Sequence, residues 1–267
     1  MNMKRNLMFW LAATLLVACG QKSQEEKMAS PSSEGKTSEE LLLEGDSTIY
    51  GLACEGSGDS VVVLLPTDGR DPVSYNVIEA HRQQKVHGSL SVGDWIGLVR
   101  NAEDSTVADL VVDLDELKGT WCYVVMPRLV REVPDSVKQE YFIPREYGFS
   151  LKRQWTAQSV GYVRPESALE SKSPVEYPQL RFFTEWHILN GKLVMTSGDF
   201  RRKADSDEME MVSTRNDTCD ILYLRGDSLV LGSEGATRSY YRRTNKDDIN
   251  KIARQKAEER LRRAMKN

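Results

Sequence analysis

Histidine and cysteine are the residues of this sequence that could bind a metal or carry redox chemistry, and both are scarce. The 267-residue chain has only three His and four Cys. No pair among His81, His87 and His187 has the i, i+4 spacing that lets one helix face hold zinc. The sequence also lacks a Cys-x-x-Cys pair, the usual unit of redox relays and zinc knuckles. We therefore expect no metal site and no cofactor.

Signatures of the common enzyme classes are missing too. The sequence contains no Gly-x-Ser-x-Gly nucleophile elbow, no P-loop and no Gly-x-Gly-x-x-Gly dinucleotide motif. The formal net charge is -4 and the pI about 5.6, whereas nucleic-acid-binding domains are usually clearly basic. We therefore predict that the protein is not an enzyme and has no nucleic-acid partner.

The N-terminus has the pattern of an export signal. Lys4 and Arg5 precede an apolar run of 12 residues, from Leu7 to Ala18, which is too short to cross a bilayer core of about 30 Å. The letters LVAC at residues 16–19 resemble the lipobox of bacterial lipoproteins. That resemblance implies that residues 1–18 are a lipoprotein signal peptide and that Cys19 becomes the acylated lipid anchor. An ordinary cleaved signal and an uncleaved N-terminal anchor are the alternatives.

The residues after Cys19 bear on location and tethering. In the sorting rule of that family, Asp directly after the anchored Cys retains a lipoprotein in the inner membrane. Gly20 stands there in this chain, which favours the outer membrane, on its periplasmic or its surface face. Residues 19–46 are rich in Ser, Glu, Lys and Gly, a composition that buries too little apolar surface to fold and indicates a flexible tether. The expected partner is thus a membrane, reached through the lipid.

The elements that must position any binding site are short β-strands. Between residues 47 and 115, strand-like segments separated by turn residues follow the order β-β-β-α-β-β, which is that of a five-stranded OB-like barrel. Residues 116–243 contain eight or nine strand signals at hairpin spacing, including Asn190-Gly191, and indicate an up-and-down antiparallel barrel. Apolar residues recur every four positions in 244–267, which predicts a basic C-terminal helix, resting on the barrel or on anionic lipid.

The second barrel carries a family resemblance. Gly119-Thr120-Trp121 resembles the Gly-x-Trp that opens the first strand of lipocalins. In that fold the Trp crosses one end of the barrel and an Arg of the last strand packs over it, a role that falls here to Arg242 or Arg243. With later segments such as Gly191-Lys192-Leu193, the run resembles the bacterial lipocalin-like lipoprotein families. The resemblance implies a cup with one closed end, and an insert at residues 127–145 follows the first strand, where lipocalins often carry a lid.

Apolar and aromatic side chains that face into such a barrel either line a ligand cup or fill a solid core, and an eight-stranded barrel suits both outcomes. The candidates for ligand contact are Tyr123, Val125, Phe149, Trp155, Phe183, Trp186 and Tyr223.

Three cysteines remain after Cys19. In an oxidising envelope Cys122 and Cys219 either form a disulfide, if their strands meet at the barrel closure, or stay buried thiols beside Cys54.

We therefore predict an all-β protein, with a small five-stranded OB-like barrel followed by an eight- to nine-stranded lipocalin-like antiparallel barrel and a short C-terminal helix. The predicted function is a membrane-anchored lipocalin-like lipoprotein that binds a small apolar or amphiphilic ligand in the bacterial envelope. The alternative is a non-catalytic structural or stress-sensing protein that binds other proteins through its barrels.

Overall fold

A computed structural model describes residues 43–161, 173–202 and 209–243, together with residues 255, 259, 262 and 263. The signal peptide, Cys19 and most of the tether lie outside these residues. So does the predicted C-terminal helix, except for Gln255, Glu259, Arg262 and Arg263, which are helical.

The first part of the described chain forms a small curled sheet. Its strands and helix are β1 (Ile49–Ala53), β2 (Val61–Pro66), β3 (Val73–Asn76), α1 (Ile78–Arg82), β4 (Val86–His87), β5 (Trp95–Arg100) and β6 (Ala108–Asp113). The strand order is β3-β2-β1-β5-β6-β4. A parallel bridge joins Asn76 to Val107, and the Asn76 N–H donates to the Thr106 carbonyl at 2.8 Å, which brings β3 and β6 together.

Alternating β-branched and leucine residues build the interior of this small sheet, because successive side chains of a strand point to opposite faces. Val62 and Leu64 of β2 and Ile96 and Leu98 of β5 are fully buried against one another. The sequence predicted five strands here, and the structure has six. The additional strand, β4, pairs in parallel with β6 over two residues, too few to leave a periodic signal in the sequence.

The second part forms the larger barrel, introduced by the short helix α2 (Leu114–Leu117). Its strands are β7 (Gly119–Val125), β9 (Arg145–Leu151), β10 (Ala157–Val160), β12 (Phe182–Leu189), β13 (Lys192–Arg202), β14 (Met209–Arg225), β15 (Ser228–Ser233) and β16 (Ala236–Arg242). They follow the order β10-β9-β7-β16-β15-β14-β13-β12, and each pair of neighbours is antiparallel. The predicted fold class, all-β with a lipocalin-like antiparallel barrel of eight strands, is confirmed.

The barrel closes between β10 and β12 without a regular ladder. Thr156 bridges Glu185, and the Trp186 N–H donates to the Trp155 carbonyl at 2.9 Å. Further along, the Ser159 hydroxyl donates to the Arg181 carbonyl at 2.6 Å and accepts from the Phe183 N–H at 2.7 Å. A side-chain hydroxyl thus satisfies backbone groups that a continuous strand pair would otherwise have joined.

The two ends of the barrel differ. Three short turns, at residues 152–155, 190–191 and 226–227, lie at one end with α2. The other end carries the long connections, which contain β8 (Arg128–Leu129), α3 (Asp135–Tyr141) and β11 (Val175–Glu176). β8 pairs with β11, so the insert after the first barrel strand is joined to the connection that precedes β12. We call the first end the closed end and the second end the mouth.

The small sheet packs onto the closed end through polar contacts to the turns. The predicted Asn190-Gly191 hairpin is confirmed, with Leu189 opposite Lys192. Its Asn190 side chain accepts from the Ser47 N–H at 2.8 Å, and its backbone N–H donates to the Asp46 carboxylate at 3.0 Å. The Glu116 carboxylate accepts from Ser89 N–H at 2.6 Å and also from Gly226 N–H, and so bridges the sheet and the barrel.

Behind these contacts, an aromatic cluster joins the interior of the small sheet to the interior of the barrel. The rings of Trp95 and Trp155 lie 4.8 Å apart, and those of Trp155 and Trp186 also 4.8 Å. The Tyr50 ring lies 5.7 Å from Trp155, and its hydroxyl donates to the Ile188 carbonyl at 3.0 Å. Such pairs contribute about 0.5–1.5 kcal/mol each beyond burial. Trp95 of β5 and Trp186 of β12 therefore belong to one hydrophobic core.

Two buried titratable groups near this seam give a pH-dependent prediction. Burial lowers the pKa of His87 to about 4 and raises the pKa of Asp113 to about 6. The neutral His87 stabilises the fold above its ordinary pKa of 6.5, and this contribution is lost as the pH falls towards 4. Asp113 acts in the opposite sense, because its stabilising protonated form is lost as the pH rises through about 6.

We expect His87→Gln to lose less stability than the wild type on acidification. Between pH 7 and pH 4, the loss in unfolding free energy should be smaller in the variant by on the order of 3 kcal/mol. This follows because folding lowers the pKa of His87 from 6.5 to about 4 and each pKa unit corresponds to about 1.4 kcal/mol. Urea unfolding at both pH values measures this difference. Equal losses in the two proteins would show that His87 is not held neutral by burial.

Candidate ligand-binding site

The closed end is built around Trp121. Alternation along β7 puts Trp121 on the inner face, where it is fully buried and its indole N–H donates to the Leu117 carbonyl at 2.7 Å. The Arg242 guanidinium lies 4.2 Å from the centre of the Trp121 ring. The same guanidinium donates to the carbonyls of Lys118 at 2.7 Å and Glu116 at 2.6 Å. A cation–π contact and charge-assisted hydrogen bonds therefore seal this end of the barrel.

The other two residues of the predicted closure take different positions. Gly119 has φ = +129°, and a Cβ there would overlap the Arg242 guanidinium, so the strand needs glycine at its start. Arg243 directly follows the end of β16, and its backbone N–H donates to the Thr120 carbonyl at 2.8 Å. Its side chain pairs with the buried Glu146, with Nε 3.3 Å from Oε1. Of the two arginines that the sequence left open, Arg242 is the one that stacks on Trp121.

The cysteines are free thiols within the described residues. Cys122 lies on the outer face of β7 beside Glu146, and burial, reinforced by that carboxylate, raises the pKa of its thiol. Cys219 belongs to β14, which β15 and β16 separate from β7. The disulfide between Cys122 and Cys219 that the sequence left open does not form, because β16 rather than β14 is the neighbour of β7.

The half of the interior nearest the closed end is filled with side chains. Trp121, Trp186, Leu193 and Leu229 are fully buried there, and Leu151 is only 2% exposed. This half is therefore core, which is one of the two outcomes that the sequence allowed.

Aromatic side chains line the interior towards the mouth. The Phe149 ring lies 5.1 Å from Tyr240 and 6.0 Å from Phe183. Tyr123 contacts Tyr240 edge-on at 5.4 Å and Tyr147 at 6.4 Å. Phe149 and Tyr147 are buried, whereas Tyr123, Phe183 and Tyr240 are only half-buried. We call this group of five the aromatic cup.

Charged side chains surround the cup. The Arg238 guanidinium lies 4.3 Å from the centre of the Tyr123 ring. Asp217 binds two further arginines, with Arg181 Nη1 at 2.5 Å and Arg215 Nε at 3.1 Å from its carboxylate oxygens. Burial raises the pKa of Tyr240 to about 12, although the Arg238 charge opposes the rise. The Tyr240 hydroxyl is thus neutral at physiological pH and available as a hydrogen-bond donor.

The structure brings together only part of the predicted ligand-contact set. Tyr123, Phe149 and Phe183 meet in the aromatic cup, and Val125 lies near the rim at the end of β7, 9% exposed. Trp155 and Trp186 lie instead in the cluster that joins the barrel to the small sheet.

Tyr223 departs most from the prediction, because its side chain is 48% exposed. A β-bulge between Ile221 and Tyr223 inserts an extra residue opposite β15, so that Ile221 and Leu224 point inward while Leu222 and Tyr223 are exposed. Simple alternation along β14 therefore fails from this point onward.

Sequence reasoning missed Tyr147, Tyr240, Arg238 and the Arg181–Asp217 pair. For Tyr240 and Arg238, strand alternation along β16 was a usable signal. Once Arg242 is assigned to the inner face, a period of two also puts Tyr240 and Arg238 there. No local pattern connects Arg181 with Asp217, which are 36 residues apart.

Two further observations concern the described part of the chain. No group of three or more His, Cys, Asp and Glu side chains is arranged there to hold a metal ion. Among the helices in those residues, none combines the length and the apolar character needed to cross a membrane.

Comparison with known proteins gives one structural likeness. No protein-family model matches the chain, and no curated protein matches it. A solved structure, a lipocalin-like protein from Bacteroides thetaiotaomicron VPI-5482, is similar with 20% sequence identity and a TM-score of 0.26. The match covers 47% of this chain and 95% of that protein. Because the TM-score is low, the assignment of the fold depends on the strand order and closure of this chain.

Proposed function

We propose that this protein is a lipid-anchored, lipocalin-like protein of the bacterial envelope that binds a small amphiphilic ligand at the mouth of its larger barrel. The observation that carries the proposal is the contrast between the two halves of the interior. Side chains at the closed end are fully buried, whereas Tyr123, Phe183 and Tyr240 towards the mouth keep part of their surface accessible. Ligand sites of this kind are concave and largely apolar, with a few polar groups that orient the ligand.

The arrangement favours entry from one end. Trp121 and Arg242 close the other end, and the small sheet covers it. Along β7 the inner residues Trp121, Tyr123 and Val125 span about 13 Å, since two residues of a strand advance about 6.7 Å. An apolar tail would lie against the aromatic rings, and a polar head group would remain near the charged rim.

The small sheet serves in this proposal as a rigid base for the barrel. We interpret it as an OB-like module. The support is the element order β1-β2-β3-α1-β4-β5-β6, in which β4 has only two residues, and the bridge between Asn76 and Val107. OB-folds that bind single-stranded nucleic acid use basic grooves with exposed aromatic rings. Here the large aromatic residues Tyr50 and Trp95 pack against the barrel instead.

The membrane anchor rests on the lipobox resemblance and has its own test. We expect Cys19→Ser to move the protein from the membrane fraction to the soluble fraction, because the residue that carries the acyl chains is removed. Cys54→Ser is the matched control and should leave the protein in the membrane fraction. Cell fractionation followed by immunoblotting measures the distribution. Retention of the Cys19→Ser protein in membranes would contradict the lipid anchor.

Native mass spectrometry of the protein extracted from cells tests ligand binding. The proposal predicts a retained lipid-sized mass on the folded chain. Ser233→Trp should abolish it, because Ser233 lies near the mouth beside Cys219 and a bulky ring there would fill the cup. Ser228→Trp, an exposed position on the same strand at the closed end, should keep it. A bare chain would contradict the proposal, and a retained partner chain would favour the protein-binding alternative.

A further inference from the structure

Arg238 is an unusual residue to face the interior of a barrel. It lies two residues from Tyr240 and four from Arg242 on the inner face of β16, and its side chain is exposed. Its guanidinium covers the Tyr123 ring at 4.3 Å. Within the described residues, no carboxylate lies within ion-pair distance of Arg238.

Among the described residues around the cup, arginines outnumber the carboxylates that pair with them. Arg181 and Arg215 share the single carboxylate of Asp217, and Arg238 adds a third positive charge. The Arg238 charge reaches into the cup, because it opposes the rise in the pKa of Tyr123 that burial causes. Aromatic walls of low polarity screen such charges less than water does. An anion that binds Arg238 on the side of the Tyr123 ring would therefore be screened less than one on an open surface, although the Arg238 side chain itself is exposed.

We infer that the mouth selects amphiphiles with an anionic head group, and that Arg238 is the residue that binds the head. This inference rests on the proposed function, because it names the ligand class of the same site. A guanidinium binds carboxylate or phosphate oxygens through paired N–H donors. The tail would then run from Arg238 towards Phe149 and Phe183, past the Tyr240 hydroxyl, which offers one more donor.

Displacement of the fluorescent apolar probe N-phenyl-1-naphthylamine from the full-length protein tests this inference. Dodecanoate, dodecyl phosphate and dodecanol share one tail and differ in the head group. We expect both anions to displace the probe at concentrations at least about tenfold lower than dodecanol, the range of a charge-assisted hydrogen bond. The relative strength of the two anions distinguishes a carboxylate ligand from a phosphate ligand.

Variants separate recognition of the head group from binding of the tail. Arg238→Gln should raise the half-displacing concentration of the anions at least about tenfold and leave that of dodecanol unchanged. Arg238→Lys keeps the charge and should recover part of the preference. Arg225→Gln, an exposed arginine at the closed end, should match the wild type.

The possible outcomes distinguish the two claims. Dodecanol binding as tightly as the anions, or an anion preference that survives in Arg238→Gln, would overturn the inference and leave the proposed function standing. Failure of the probe and all three amphiphiles to bind would overturn both.

Discussion

Replacing Trp121 with alanine is expected to lower the free energy of unfolding by about 3–5 kcal/mol, the range found for buried aromatic residues. The side chain is fully buried at the closed end, and the substitution leaves a cavity that the surrounding strands cannot fill. It also removes the donor to the Leu117 carbonyl and the ring beneath the Arg242 guanidinium. Urea unfolding of the chain without residues 1–19, followed by circular dichroism, measures the change.

Tyr223→Ala is the matched control for this prediction. Tyr223 is an aromatic residue of the same barrel, but its side chain is 48% exposed on the outer wall. We expect its removal to change the unfolding free energy by only about 0.5 kcal/mol, as at other surface positions. Similar losses in the two variants would contradict the assignment of Trp121 to the sealed end of the barrel.

Trp95→Ala is expected to destabilise both sheets at once. Trp95 belongs to the small sheet, yet its ring lies 4.8 Å from Trp155 and 6.3 Å from Trp186, and its backbone N–H donates to Asp115 at 2.7 Å. We expect a loss of about 3–5 kcal/mol. Because one core contains Val112 of β6 together with Leu229 and Leu231 of β15, amides of β6 and β15 should lose protection from hydrogen exchange together.

Hydrogen exchange with mass spectrometry reports on the two sheets separately. Val92→Ala is the control, because Val92 precedes the same strand and is 69% exposed. It should leave the exchange of both sheets unchanged. If Trp95→Ala increases exchange only in the small sheet, the two parts are independent modules and the shared core is wrong.

The sequence was informative where local chemistry determines the backbone. Asn190 and Gly191 both adopt positive φ, at 50° and 80°. Asn and Gly tolerate this conformation better than other residues, and the dipeptide therefore predicted a hairpin. The resemblance of Gly119-Thr120-Trp121 to the opening of lipocalins led to the expectation that an arginine of the last strand packs over Trp121, and Arg242 lies there, 4.2 Å from the ring centre. Five of the six strands in the small sheet, and the helix after the third, followed from short β-branched runs and the turn residues between them.

Other features depend on contacts that no local pattern encodes. Trp155 was expected to line the cup, but it has φ = +58° in the turn before β10 and packs towards Trp95. The bulge that turns Tyr223 outward depends on the pairing of β14 with β15. The sequence also left open whether the barrel is hollow or filled. The structure shows a filled half next to the closed end and half-buried rings towards the mouth.

The location of a bound amphiphile is the most direct test of the cup. Dodecanoate that carries a photoactivatable diazirine on its tail would be cross-linked to the full-length protein, and the modified peptides identified by mass spectrometry. Our account predicts labels on the inner residues of β7, β9 and β16, at Tyr123, Phe149 and Tyr240, and their loss in Ser233→Trp. Labels concentrated on the small sheet, or spread over the outer wall of the barrel, would contradict it.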